Sequence, residues 1–250
     1  MQSSFNKCLE FMIATDQIIY NTPQPNLFID NIERTKRRIN IIKEEIRETK
    51  DAMVQNNFIE VMDGLGDIEY TINIIGAAFG IDLDKEFHVK HSIRMNKDCD
   101  IQQTNFKKYI NFMENTGHNV PKYNLDNINE KIYLLEMAEI YIEESVRDNN
   151  FNKFVDGLIN ALYVVYGIAY AFGINLDEIY RIIHESNMTK ICTTEEEAIQ
   201  TIEWYVKNKN DRYKNPEYKK SKDQQYWIMY DKITGKILKS INFIPPKFTV

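Results

Sequence analysis

With 250 residues, 43% of them hydrophobic and 27% charged, the chain is long enough for one large domain or two small ones, and it can bury a core and stay soluble. A net charge of -6 argues against a general nucleic-acid binder, which shows a basic balance, yet it leaves room for nucleotides whose phosphates bring a metal cation. Nine glycines and six prolines suit long helices better than a β-sandwich.

The N-terminal stretch MQSSFNKCLEFM has no basic segment followed by an apolar run, so no signal peptide is expected. No run approaches about 18 uninterrupted apolar residues, so no membrane span is expected either. Cys8, Cys99 and Cys192 are far apart and form no CxxC pair, which fits reduced thiols in the cytoplasm rather than a structural zinc site.

In chain order, Phe5, Leu9, Met12 and Ile13 give residues 5–20 one apolar side, as in an amphipathic helix. Residues 21–26, Asn-Thr-Pro-Gln-Pro-Asn, break it. Ile32, Ile39, Ile42, Ile46 and Met53 then carry a helix over 27–55, interrupted at Asn56-Asn57. Asn57 with Glu60 fits a capping box for a third helix from Phe58 to Phe79, stopped at Gly80. A fourth helix is expected over 83–96. The plan then repeats: helices over 104–115, 127–148 and 151–172, a stop at Gly173, and a last helix to Lys190 with Asn175 and Glu178 as its capping box. A further helix is expected over 193–207 and a lysine-rich loop over 208–224. Strands at 226–230 and 236–241 would form a hairpin with Gly235 in the turn.

Residues 5–97 and 112–190 look like two copies of one helical unit, and a shift of 93 positions superposes their shared motifs. Asp63-Gly64-Leu65 meets Asp156-Gly157-Leu158, Tyr70 meets Tyr163, and Ala78-Phe79-Gly80-Ile81 meets Ala171-Phe172-Gly173-Ile174. His91 and Met95 meet His184 and Met188. The expected fold is all-α: two tandem four-helix units packed as a pseudo-symmetric helical bundle, with a small C-terminal β-hairpin. The units are residues 1–100 and 101–192, and 193–250 is an extension.

One constellation carries chemistry. Glu44, Glu45 and Glu48 share neighbouring faces of the second helix, and Asp63 and Asp67 lie one turn apart on the third. If these helices fold back about Asn56, Glu45 lies level with Asp67, and Glu48 lies beside Asp63. Carboxylates brought this close repel one another unless a cation sits among them, and a hard divalent ion satisfies them. The competing reading is a solvated acidic helix face. At a shift of 93, Glu44, Glu45, Glu48 and Asp67 become Met137, Ala138, Tyr141 and Asn160, and only Asp63 persists, as Asp156. Acids needed for structure would be kept in both copies, so this loss favours a metal site in the first. Near the end of the fourth helix of each copy, Arg94, Lys97, Asn187 and Lys190 are candidates to hold phosphate oxygens; ordinary helix capping competes with that reading. His91 and His184 fit structural roles.

Glu44-Glu45-Ile46-Arg47-Glu48 with Asp63-Gly64-Leu65-Gly66-Asp67 resembles the EExxE and ExxD signature of the all-α nucleoside triphosphate pyrophosphohydrolases, the MazG-like group. Residues 156–167, Ala171-Phe172-Gly173-Ile174 and Ser186-Asn187-Met188-Thr189-Lys190 resemble its phosphoribosyl-ATP pyrophosphohydrolase-like branch, often seen in phages and large viruses. Thr234-Gly235-Lys236-Ile237-Leu238-Lys239 with Pro245-Pro246 is similar to that branch's C-terminal hairpin, and Phe11-Met12 and Phe112-Met113, followed by Gln17 and His118, are similar to its substrate-side helix. The resemblance implies hydrolysis of a nucleoside triphosphate to a monophosphate and pyrophosphate with Mg2+, or Mn2+ in its place. Glu44, Glu45, Glu48 and Asp67 would be metal ligands or water activators, with Asp63 assisting. Gln17, Arg94, Lys97, Asn187 and Lys190 would contact substrate. The ExxD glutamate would fall at position 64, which is glycine. The first copy also lacks the Ser-Asn-Met-x-Lys end, so a composite site is expected, with acids from the first unit and Asn187 and Lys190 from the second. The alternative is a catalytically inactive member that binds a nucleotide or a protein. The expected partner is a nucleoside triphosphate in the cytoplasm, with no nucleic acid and no membrane, and the chain a monomer or homodimer.

Overall fold

Two asparagines in the left-handed conformation, Asn56 and Asn149, fold the long helices of this computed structural model back on themselves. The structure describes residues 2–96, 100, 102–118, 128–208 and 215–249. Helices α1 (Ser4–Ala14), α2 (Leu27–Asp30), α3 (Ile32–Val54), α4 (Phe58–Phe79) and α5 (Leu83–Met95) make the first half. Helices α6 (Asn105–Asn115), α7 (Ile128–Arg147), α8 (Phe151–Ala171) and α9 (Leu176–Met188) make the second. Helix α10 (Glu195–Lys207) and strands β1 (Pro216–Lys220) and β2 (Trp227–Asp231) follow.

The same local chemistry shapes both hairpins. Past Asn56, the Asn57 amide donates to the Ala52 carbonyl (2.9 Å), and past Asn149 the Asn150 amide donates to Ser145 (2.8 Å). Asn57 caps α4 by accepting from the Glu60 amide, and Asn150 caps α8 by accepting from Lys153. Gly80 and Gly173 end these helices with positive φ, as αL stops do. Helices α4 and α8 are the buried centre, through Leu65, Ile68, Ile72 and Ile75 on one and Phe154, Leu158, Leu162 and Val165 on the other. By length and composition α8 could cross a membrane, but here its apolar surface is spent on the core.

The fourth helix of each half packs on the long helix of the other. Tyr70 of α4 bonds His184 of α9 (3.2 Å), and Tyr163 of α8 bonds His91 of α5 (2.7 Å). Tyr70 stacks on Tyr180 as Tyr163 stacks on Phe87. Helices α3 and α7 meet through Lys43–Glu143 (2.7 Å) and Lys50–Glu136. Each of those pairs is the other with the halves exchanged, since position 43 corresponds to 136 and 50 to 143.

Three expectations need correction. The helix over 27–55 is broken at Asn31, whose side chain accepts from the Arg34 amide and starts α3 afresh. The break frees α2 to wedge Phe28 against Phe79 (5.6 Å between centroids) and Phe154 (5.0 Å). Asn175 makes no side-chain cap; Glu178, its expected partner, is drawn to Arg181. The hairpin pairs β2 with β1, inside the segment expected to be loop. Asp231 accepts from the amide and hydroxyl of Thr234 and closes a tight turn, after which residues 236–238 touch β2 at only one bridge, Tyr230 with Ile237. The chain is then drawn away: Lys239 bonds the Tyr205 hydroxyl, and the Ser240 amide bonds the Lys190 carbonyl. Cys8 and Cys192 are buried and free, and Cys99 lies outside the described residues.

The paired stop glycines differ in their surroundings. A Cβ on Gly80 would lie 1.9 Å from the Thr22 carbonyl oxygen, whereas one on Gly173 would meet nothing within 4 Å. Gly173→Ala should therefore cost only the left-handed backbone term, about 1–2 kcal/mol. Gly80→Ala should cost clearly more, since backbone must also move. Denaturant midpoints of the two variants test this, and equal losses would contradict it.

Candidate active site

The close approach of α3 and α4 sets the geometry. A Cβ on Gly64 would come within 2.2 Å of Thr49 Oγ1, so Thr49 fills the space that Gly64 leaves. Thr49 also donates back to the Glu45 carbonyl (2.7 Å). One turn before Thr49 stands Glu45, and nearly one turn after Gly64 stands Asp67. The two are thus carried level with each other, both half-buried.

Their electrostatics report the crowding. Burial, then Asp67, Glu48, Glu44 and Asp63, push the Glu45 carboxyl up to about 8. Burial, Asp63 and Glu48 raise Asp67 to about 7, against the pull of Lys190 and Lys239. Asp63 is raised too, by burial first and then Glu60, with Lys190 and Lys239 opposing. Glu44 and Glu48 are exposed at the rim, where Glu48 meets Arg47 at 3.7 Å. All five sequence-predicted acids therefore act on one locus. Among the described residues, no three acidic, histidine or cysteine side chains stand close enough to close on a metal ion as they are. The donor set still suits Mg2+ or Mn2+. It is all oxygen and anionic, shared between two helices, and holds protons well above the usual carboxylate range because its members are buried and crowd one another.

The positive side comes from the other half and from the extension. Lys190, just past α9, feels Asp67 and Glu45 as favourable charges and donates to Asn187 Oδ1. Burial pulls its ammonium pKa down, and Lys239 and Lys236 act in the same direction. Asn187 is buried and bonded to Tyr70, so α9 is fixed on α4 beside the acids. Lys236 and Lys239 were given no role by the sequence reading. The available signal was the similarity of residues 234–239 to a family hairpin.

Two expected residues lie elsewhere, and one cannot be placed. Arg94 belongs to the opposite end of the bundle, where it donates to Asn160 Oδ1 (2.9 Å) and sits 3.9 Å over the Tyr163 ring. Asn160 holds the position of Asp67 in the second half, and Asp156, the counterpart of Asp63, is paired with Lys90. Gln17 is not among the carboxylates; it bonds Thr15 (3.1 Å) and Arg38 (3.1 Å), further along the α3 face. His118, which follows Phe112-Met113 as Gln17 follows Phe11-Met12, bonds Thr116 in the same way (2.9 Å). Lys97 lies outside the described residues.

An all-helical hairpin of crowded carboxylates, faced by lysines from a second helical half and its extension, defines the class of nucleotide pyrophosphohydrolase folds. The phosphoribosyl-ATP pyrophosphohydrolase family profile matches residues 13–91, which include all five acids. The uncharacterized protein L479 of Acanthamoeba polyphaga mimivirus is 30% identical over 228 residues, covering 90% of this chain and 86% of that protein. No solved structure matches the chain. The chain belongs to the phosphoribosyl-ATP pyrophosphohydrolase family, within the MazG-like all-α superfamily.

The raised carboxyls set a pH dependence. A group whose folded pKa exceeds its unfolded one contributes fully below the unfolded value, and that contribution is lost as pH rises through the folded value. The window runs from 4.5 to about 8 for Glu45 and from 3.8 to about 7 for Asp67. The wholly buried Glu69, bonded to Tyr166, adds a window from 4.5 to about 8. Metal-free protein should therefore lose melting temperature between about pH 5 and about pH 8, and Glu69→Gln should remove part of the slope. Mg2+ should raise the melting temperature more at the alkaline end, where the acids bind it without first losing protons. A flat profile would refute the assignment of these shifts.

Proposed function

We propose that this chain hydrolyses a nucleoside or deoxynucleoside triphosphate to the monophosphate and pyrophosphate, using a divalent cation held by Glu45, Asp67 and Asp63, with Glu44 and Glu48 at the rim. The observation that carries this reading is the meeting of Glu45 and Asp67 across the α3–α4 hairpin with Lys190 beside them. A bound Mg2+ would supply charge neutralisation on the phosphates and a more acidic water.

The chain's own residues do the rest. A carboxylate of the cluster takes a proton from the attacking water. The water oxygen bonds to the α-phosphorus as the bond to the bridging oxygen breaks, and pyrophosphate leaves with that oxygen. On this reading Lys190, Lys236 and Lys239 meet the charge that builds on the leaving group, and Asn187 holds the Lys190 ammonium in place. On the same reading the chain is two copies of one unit: the first keeps the acids and the second supports them.

A second reading, a member that binds nucleotide without turning it over, has one observation in its favour. Thr49 occupies the space at Gly64, so no carboxylate side chain fits where the family motif has its glutamate.

Pyrophosphate release from a panel of nucleoside triphosphates, with and without Mg2+, separates the two. Glu45→Gln and Asp67→Asn should each lower turnover by about 10²–10⁴-fold. Arg94→Ala, at the opposite end, should leave turnover within about twofold of the wild type. No metal-dependent release from the folded wild-type protein would favour the binding reading.

A further inference from the structure

Further along the same face of α3, Arg38 carries positive charge that no carboxylate among the described residues answers. Arg34, Arg37 and Arg38 fall within little more than one helical turn. Arg38 is partly buried, and its guanidinium donates to Gln17 Oε1 at 3.1 Å, a neutral partner whose own amide is spent on Thr15. The other groups that act on it are Arg34, Arg37 and the Cys8 thiol. Cys8 brings no negative charge, because burial pushes its thiol far above the usual range. Burial and the neighbouring arginines draw Arg38 itself down to about 10. Among the described residues, Arg38 has no carboxylate partner. Arg37 reaches the Thr234 carbonyl, tying this end of α3 to the loop that carries Lys236 and Lys239.

A guanidinium kept from water without a counterion is costly, and its planar fork matches the oxygens of a phosphate. Seven residues separate Arg38 from Glu45, so they share a face about 10 Å apart along the axis. The second half does not repeat the cluster: Arg37 and Arg38 become Glu130 and Lys131. The arginines thus keep company with the acids.

We propose that Arg38, flanked by Arg34 and held by Gln17, is a phosphate-binding subsite for a substrate phosphate lying beyond those at the carboxylates. The proposal rests on the nucleotide reading of the site. Two sources share this chemistry: the terminal phosphate of the triphosphate, and a separate phosphate on a second sugar.

Metal-free protein in EDTA, titrated with inorganic pyrophosphate, tests the subsite apart from catalysis. Melting temperature should rise saturably above an NaCl control of equal ionic strength. Glu45→Gln should keep that rise and Arg38→Gln should lose it. Unliganded Arg38→Gln should melt at or above the wild type, because it removes an uncompensated charge. No rise in the wild type, an unchanged rise in Arg38→Gln, or a large fall in that variant's own melting temperature would each overturn the proposal. In turnover assays, a KM raised tenfold or more for every triphosphate would assign the terminal phosphate. An effect confined to substrates with a second sugar phosphate would assign the other source. Pyrophosphate binding without hydrolysis of any nucleotide would sink the enzymatic reading and leave the subsite standing.

Discussion

The contact of Thr49 with Gly64 is the constraint on which the site depends. It brings two helices closer than side chains would otherwise permit, and the distance decides the chemistry. Were α4 one residue out of register, Asp67 would turn away from Glu45 and the acids would become an ordinary solvated face. The second half keeps the same close approach: a Cβ on Gly157 would lie 3.1 Å from Ile142 and Tyr141, the counterparts of Thr49 and Glu48. The backbone geometry therefore belongs to the scaffold, and the carboxylates are laid upon it.

The two ends of the bundle solve one electrostatic problem differently. At the first end, Asp63 and Asp67 are answered only in part, by lysines that approach from α9 and the extension. At the second end, Asp156 has Lys90, and Asn160 has Arg94. Cations of the chain stand where, on the proposed reading, the first end would take a cation from solution. An end that compensates itself gains stability and gives up the unmet charge that would draw a metal and a polyphosphate.

Much of this was legible in the sequence because it is local. The Asn56-Asn57 turn, the stop at Gly80 and the spacing of Glu45, Glu48, Asp63 and Asp67 each follow from a few neighbouring residues, and together they place the acids level. What was not legible depends on partners far apart in the chain. Arg94 and Lys190 end corresponding helices and look alike in sequence. The exchange of α5 and α9 between halves sends them to opposite ends, and no short-range pattern reports that exchange. The extension was misread for a related reason. Pro216–Lys220 is too polar to announce a strand, and it becomes one because the apolar β2 needs an edge partner once residues 239–240 are held by Tyr205 and Lys190. Lys236 and Lys239 gain meaning only from that docking.

The first half thus carries charge of both signs in excess of what its own contacts satisfy: acids near the hairpin turn, arginines two turns away. A fold selected for stability alone would pair them or dispense with them, as the second half largely does. That both kinds persist on one face of α3, with Glu45 and Arg38 two turns apart, fits a ligand that is itself bipolar in its demands. A polyphosphate chelated to a divalent cation presents positive charge to carboxylates and negative charge to guanidinium groups. Its length is of the same order as the separation of Glu45 from Arg38.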